Sequence, residues 1–349
     1  MITHQIVKAK KAGSLSEGSS VLLIVAIAVA TLGIGKYGQS GVIAIWGRDD
    51  WSITYLIMPL GISYSVFRLL QYAFDHVRGT LDDNSFLRLA AFVMFIPTFP
   101  AGPIETYQGF YSKRSLGFDR GLFYTGLRRI ALGYFKKIFV VNLLFDSQFV
   151  GNLFAAVNSR YSWSDVHSIW SMLYVISAFV RSYFDLAAYS DLAIGFSGLF
   201  GFRIMENFNK PFWKSNLAEF WRSWHISLSS WCRNNVYFPV FGFMRKPWLG
   251  LYAAMLIMGI WHYVSLKWIL WGLYHGTGLV IFSCWDQYKK TRWKTRVKHG
   301  KPAAAGYERF ISWLGYPLTF LYVALGYSFV STRTSSDSLD LFYHSLVGR

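Results

Sequence analysis

Long apolar runs recur along the whole chain, and they constrain its fold more than any other feature. Residues 21–35 read VLLIVAIAVATLGIG, and further runs cover residues 55–70, 87–104, 169–180, 249–262, 268–284 and 311–329. Bilayer hydrocarbon is roughly 30 Å thick, so a spanning helix needs about 20 mostly apolar residues. In lipid every backbone polar group must be paired internally, which leaves helices or closed barrels. Barrel strands would alternate in polarity, and these runs do not. The pattern predicts an all-α, polytopic integral membrane protein of roughly eight to ten spanning or re-entrant helices.

Charge is read in that setting. The chain is 53% apolar and 15% charged, with a net charge of +17. In a soluble protein this balance would point to nucleic acid. In a membrane protein, Lys and Arg collect in cytoplasmic loops and at anionic lipid surfaces, so no nucleic-acid partner is expected. The polar start, residues 1–20, carries Lys8, Lys10 and Lys11. A basic lead and a short apolar core also describe a signal peptide, but the many runs downstream favour a retained first span with its basic end inside. Residues 289–301 form a dense basic stretch that predicts a cytoplasmic loop. The expected organisation is a polar basic segment over 1–20, one membrane-embedded region over 21–330, and a polar tail over 331–349. There is no internal repeat and no separate soluble domain. The two cysteines, Cys232 and Cys284, fit neither a disulfide framework nor a metal-ligand spacing.

Polar residues inside apolar runs mark where protein, not lipid, must surround the chain. Arg68 should snorkel or face protein. Pro97, Pro100, Gly102 and Pro103 cannot continue an ordinary helix. Broken backbone at membrane depth needs protein or a water-filled cavity around it. Glu105, just beyond the break, is either a cavity residue or part of a loop at the membrane edge. Residues 122–145 are helical in period, and Arg128, Arg129, Lys136 and Lys137 return to one helix face. That face suits a membrane surface or the rim of a cavity that receives an anion. Asp185 and Asp191 point in different directions on an ideal helix and need different partners; Arg181 is placed for a local pair with Asp185. Residues 207–213, NFNKPFW, read as a polar turn.

The best candidates for chemistry are two histidines, each directly after a tryptophan. Residues 219–240, EFWRSWHISLSSWCRNNVYFPV, contain Trp224-His225, and MGIWH at 258–262 contains Trp261-His262. The first stretch mixes Arg, Ser and Asn with aromatics and cannot sit wholly in lipid. The second closes an apolar run. His275 follows on the next run and would share a site with His262 only if the chain breaks near Ser265–Lys267. It reads as a structural histidine bonded between helices near Tyr274. Cys232 lies about two helical turns beyond His225, so a thiol relay carrying a covalent acyl group is a rival; small packing is the plainer reading. Asn234 and Asn235 either bind donor or sugar, or mark a helix end.

These pieces, taken together, resemble the membrane-bound O-acyltransferase family, in its branch of bacterial polysaccharide O-acetylases and teichoic-acid D-alanyl transferases. The resemblance rests on PLGISYSVFRLLQY, PAGPIETYQGF, YFDLAAYSDLAIGFSGLFGFRIMENFNKPF, EFWRSWHISLSSWCRNNVYFPV and MGIWHYVSLKWILWGLYHG, in the family's order from Pro59 to Gly276. WHISLSSW is nearer the alginate and cellulose O-acetylases. The chain starts late, as if a helix or two of the relatives were missing, and it lacks their usual glycine before Tyr189.

The resemblance implies a helical bundle with re-entrant and interfacial helices around a central tunnel. It implies that His262 is the family's invariant histidine and His225 its second active-site position. A free hydroxyl is a poor nucleophile at neutral pH, so acyl transfer needs a base. Burial keeps an imidazole neutral and ready to accept a proton. His262 is assigned that role, with His225 as a polar stabiliser of the acyl oxyanion. Glu105, Tyr189, Ser229, Asn234 and Asn235 are carried as substrate-binding candidates, and no metal is expected.

The expected activity is transfer of an acetyl group to a cell-surface or secreted polysaccharide, with D-alanyl transfer to teichoic acid as the alternative. The donor would be a cytoplasmic thioester, acetyl-CoA or an acyl carrier protein, with no resident cofactor. Other expected partners are the lipid bilayer and periplasmic or extracellular helper proteins, at a bacterial inner membrane crossed several times. Buried charge and broken helices also describe a transporter or lipid flippase, which would show repeat symmetry between halves.

Overall fold

The computed structural model describes residues 5–6, 13, 16–46, 61–82, 85–145, 168–298, 305–332 and 335–347. Lys8, Lys10, Lys11 and Pro59 lie outside them. The regular elements are all helical: no strand occurs among the described residues, and an isolated bridge pairs Arg114 with Phe202. The chain forms two compact units, Met1–Gly133 with Tyr189–Glu206, and Tyr134–Ala188 with Asn207–Arg349.

The first unit holds α1 (Glu17–Trp46), α2 (Ile62–Val77), α3 (Phe86–Val93), α4 (Tyr107–Ser112), α5 (Arg120–Tyr134, as far as Gly133) and the end of α6 (Ser168–Leu199). Its core is aromatic. Tyr72, Phe92, Tyr107 and Phe110 are buried together, and Phe202 stacks on Phe110 at 4.4 Å. The proline-rich segment breaks the helix as expected: α3 stops at Val93, a 3₁₀ turn covers Ile96–Thr98, and irregular chain leads to α4. Arg68 faces protein, with 1% of its surface exposed. Its guanidinium donates to the carbonyls of Phe92 and Val93 (3.2 Å each) and Thr98 (2.5 Å). A buried cation thus closes the orphan carbonyls that α3 and the 3₁₀ turn leave open.

Glu105 is buried beside this turn. Its Oε2 accepts from the Met205 N–H (2.9 Å), and its Oε1 lies 3.3 Å from the Thr106 nitrogen and 3.6 Å from Lys113 Nζ. Helices α5 and α6 touch backbone to backbone: a Cβ on Gly126 would meet the Gly195 carbonyl at 2.8 Å. Small residues permit such an approach, and there Arg129 bonds both Asp191 and Glu206.

The second unit begins with a π-helical stretch, Phe135–Phe145, and the first part of α6. The winding changes at Phe135, which alters the angular step on which one basic face over residues 122–145 depends. Lys137 pairs with Asp185 at 2.5 Å. Asp185 and Asp191 therefore take different cations, as their spacing requires. Next come α7 (Leu217–Ser223), α8 (Ile226–Cys232), a π-helical turn at Arg233–Tyr237, α9 (Phe238–Met244), α10 (Pro247–His262) and α11 (Leu266–Lys298). Helices α12 (Ala305–Gly326), α13 (Ser328–Ser331) and α14 (Ser335–Val347) complete the unit.

Helices α10 and α11 form an antiparallel hairpin through a break between His262 and Leu266, with Gly272 against the Met255 carbonyl. The basic stretch expected as a loop is helical through Lys298. Lys290 pairs with Asp286 (2.7 Å) and Arg292 with the Tyr288 hydroxyl (2.9 Å), each four residues back, which supports a helix. The polar tail is likewise helical, and Ser338 Oγ donates to the Phe329 carbonyl at 2.9 Å.

One helical stretch among the described residues, Arg309–Ser331, is long and apolar enough to cross a membrane by length and composition. The larger number of spans expected from the apolar runs is not met by that measure. Arg181, Asp185 and Asp191 interrupt α6, basic residues interrupt α11, and α10 has only 16 residues.

Candidate active site

Trp224 anchors the turn that presents the first histidine. It is buried against Phe179 (5.2 Å between ring centroids), Phe208 (5.3 Å) and Phe220 (5.5 Å, stacked). With Trp224 fixed, the chain reverses sharply at His225, which has φ 42° and ψ 54°. This left-handed backbone costs a non-glycine residue roughly 1–2 kcal/mol. His225 stands at the N-cap of α8, yet its side chain makes no capping bond. The first α8 donors go instead to Asn207. The Asn207 carbonyl accepts from Ile226 N–H at 2.9 Å, and its Oδ1 accepts from Ser227 N–H (3.3 Å) and the Ser227 hydroxyl (3.0 Å). Ser229 tightens the same turn, donating its hydroxyl to the Trp224 carbonyl (2.9 Å) and its N–H to the His225 carbonyl (2.9 Å).

The His225 imidazole is 3% exposed, and its Nδ1 has no hydrogen-bond partner among the described residues. Burial drives its pKa down from 6.5 to about 4, so the ring is neutral across the physiological range. His225 thus combines a left-handed backbone with a buried nitrogen that bonds none of the described residues.

His262 sits in the opposite electrostatic setting. It is the last residue of α10 and only half-buried. Its ring stacks on Trp268 at 4.4 Å and 13°, meets Trp271 at 6.3 Å, and packs against Trp261 at 4.5 Å. The carbonyls at a helix C-terminus favour positive charge, and so does an indole face. The dry environment expected for the base therefore belongs to His225, whereas His262 is half-buried among indole rings at the end of α10.

Aromatic packing connects the two. From His262 it runs to Trp271, then Trp221 (5.7 Å), Phe220 (5.4 Å) and Trp224 (5.5 Å), the residue before His225. His275 lies on the same α11 face as Trp268 and Trp271, enclosed by Trp221 (5.2 Å) and Trp271 (4.7 Å), and its Nδ1 has no partner among the described residues. The interhelical bonds expected of it are made by its neighbour. Tyr274 donates its hydroxyl to the Tyr322 carbonyl (2.9 Å), Tyr322 donates to the Tyr274 carbonyl (2.5 Å), and their rings stack at 4.3 Å.

Cys232 is buried, and burial pushes its thiol up to about 12. A thiol so poor in thiolate does not favour the covalent relay. Asn234 is exposed and Asn235 half-buried, both within the π-helical turn rather than at a helix end. Such turns are frequent at functional sites.

Glu105 and Tyr189 belong to the first unit. Glu105 bonds backbone as described. Tyr189 lines an apolar groove of about 340 Å³ with Pro97, Pro100, Leu192, Phe196 and Phe200. Sequence reasoning overlooked Asn207, whose only signal was its place in NFNKPFW. Among the described residues no group of His, Cys, Asp and Glu could hold a metal ion.

A family model described as the membrane-bound O-acyltransferase family matches residues 54–325. The chain is 32% identical over 274 residues to a probable alginate O-acetylase AlgI of Pseudomonas putida, covering 75% of the chain and 54% of that protein. It is 31% identical over 293 residues to the teichoic acid D-alanyltransferase of Bacillus subtilis, covering 80% and 70%. It is 26% identical over 345 residues to a peptidoglycan O-acetyltransferase of Helicobacter pylori, covering 90% and 62%. The chain spans about half the length of the alginate O-acetylases it matches.

Proposed function

The chain belongs to the membrane-bound O-acyltransferase family, and on that premise we propose that it moves a short acyl group, acetyl, from a thioester to a polysaccharide hydroxyl. The observation that carries this reading is the pairing of two histidines in opposite settings within one aromatic cluster.

His262, at the α10 C-terminus, takes the proton from the acceptor hydroxyl as its oxygen attacks the thioester carbonyl. His225, dry and neutral, donates a hydrogen bond to the carbonyl oxygen as it becomes an oxyanion; preorganised donors in a water-poor site do this best. The tetrahedral intermediate then collapses, the carbon–sulfur bond breaks, and the imidazolium of His262 returns its proton to the departing thiolate. An ester and a free thiol result. Ser229, Asn234 and Asn235 would flank the substrates on the His225 side.

The donor is a cytoplasmic thioester, a coenzyme A ester or an acyl carrier protein. The acceptor is reached from outside, through a tunnel near the histidines, with periplasmic or extracellular proteins assisting. The chain resides in a bacterial inner membrane as a multi-pass protein. D-alanyl transfer to teichoic acid is the second reading, favoured by the more complete alignment with the Bacillus subtilis relative. Labelled donor incubated with wild-type and His262→Ala protein tests the reaction: no transfer by the wild type removes it, and normal transfer by the variant removes His262 as its base. Mass analysis of surface glycans from cells with and without the protein tells acetate from ester-linked alanine, and loss of alanine selects the second reading.

A further inference from the structure

The WH turn is held by a segment far away in the chain. Asn207 is 2% exposed, and the bonds it accepts come from the Ile226 and Ser227 N–H groups and the Ser227 hydroxyl. Those N–H groups open α8, and a helix leaves its first N–H groups without internal partners. The residue at the N-cap ordinarily accepts one of them with its own side chain, from extended backbone. His225 holds that position in left-handed backbone and caps nothing. On the other side of the turn, Asn209 N–H donates to the Ser223 carbonyl at 2.9 Å. Between the two asparagines, Phe208 meets Trp224 edge-on at 5.3 Å and lies 6.5 Å from the His225 ring. The segment therefore grips the turn both before and after Trp224-His225.

We propose that Asn207 is a positioning residue for His225: it caps α8 in the histidine's place, holds residue 225 in its left-handed backbone, and leaves the imidazole for the acyl group. The division of labour follows from geometry. An N-cap side chain folds back onto its own helix, so a histidine acting as its own cap could not also reach a ligand. Removing the Asn207 side-chain oxygen leaves the Ser227 N–H and hydroxyl buried and open, while Ile226 N–H keeps the backbone carbonyl of residue 207, and the left-handed turn loses bonds that offset its strain. The inference rests on the acyl-transfer reading of His225.

The test uses the full chain with four variants: Asn207→Ala, Asn207→Asp, His225→Ala, and the double Asn207→Ala/His225→Ala. Asn207→Ala lowers kcat by up to about 100-fold, as expected when a reacting group is misplaced, with little change in donor KM. Asn207→Asp keeps the accepting oxygen and recovers most of the rate. The double variant is no slower than His225→Ala alone, because residues that act as a unit are not additive. Hydrogen exchange at the Ser227 amide quickens in Asn207→Ala and returns to normal in Asn207→Asp. A wild-type kcat in Asn207→Ala overturns the proposal, as does a double variant slower by the full Asn207 factor. Should His225→Ala transfer acyl groups normally, the oxyanion role of His225 falls, and the positioning role falls with it; should the wild-type chain transfer none, the acyl-transfer reading falls. Exchange then separates the two failures: unchanged exchange in Asn207→Ala disproves the cap regardless of activity.

Discussion

Arg68 in the first unit and His225 in the second are both buried polar side chains, yet they are treated oppositely. Arg68 has three backbone carbonyls for its terminal nitrogens, and its Nε bonds none of the described residues. His225 has an open Nδ1, a left-handed backbone and a cap supplied by another residue. A buried polar group that is well bonded is architecture: it closes backbone that would otherwise be stranded. One that is strained and unbonded destabilises the fold, and local rules are broken in this way at functional sites. The first arrangement ends a helix at a proline-rich turn. The second keeps a nitrogen available.

The largest effect expected of this contrast is on rate. His262→Ala should lower acyl transfer by about 10²–10⁴-fold, the range for loss of a general base, while its melting temperature stays near wild type. A large drop in melting temperature would instead class His262 with Arg68.

The next concerns pH. The His225 pKa falls from 6.5 to about 4 on folding, so between those values the unfolded chain binds more protons than the folded one. Stability is full above pH 6.5 and is lost as pH falls toward 4, by on the order of 3 kcal/mol in total. Melting temperature followed from pH 7 to 4 should show this loss in wild type and its reduction in His225→Gln. Parallel curves would mean that the ring is not buried in its neutral form.

Arg68→Met should cost on the order of 3 kcal/mol, because carbonyls at the α3 terminus lose their donors. Donor KM and the kcat of the folded fraction should be unchanged. A kcat lowered in folded Arg68→Met would erase the contrast. The smallest effect is expected of Cys232→Ala: a stability loss within about 1 kcal/mol and an unaltered rate. A rate lowered a thousandfold would revive the thiol relay.

Much of this architecture was readable from the chain. Proline spacing placed the break after α3, and of the two settings open to Arg68, snorkelling or facing protein, the structure shows the second. The spacing of Asp185 and Asp191 required different partners, and the chain breaks after His262, the condition on which His262 and His275 could share a site. What escaped depends on distant partners. Nothing near His225 announces a left-handed backbone, since histidine carries no local preference strong enough to impose one; Asn207 imposes it from elsewhere in the chain. The helical course of residues 289–298 was missed because charge density outweighed the i,i+4 pairing with Asp286 and Tyr288. The two Trp-His pairs were found together, but the burial expected for the base at His262 is found at His225, and His262 is half-buried.

The reciprocal bonds between Tyr274 and Tyr322 fix more than a pair of rings. Each hydroxyl reads the other helix's carbonyl, so a shift of α11 along α12 by one residue would break both at once. The register of these two helices has a single setting. Since Trp268 and Trp271 ride on α11, the wall behind the His262 imidazole inherits that setting and cannot slide relative to α12 by gradual steps.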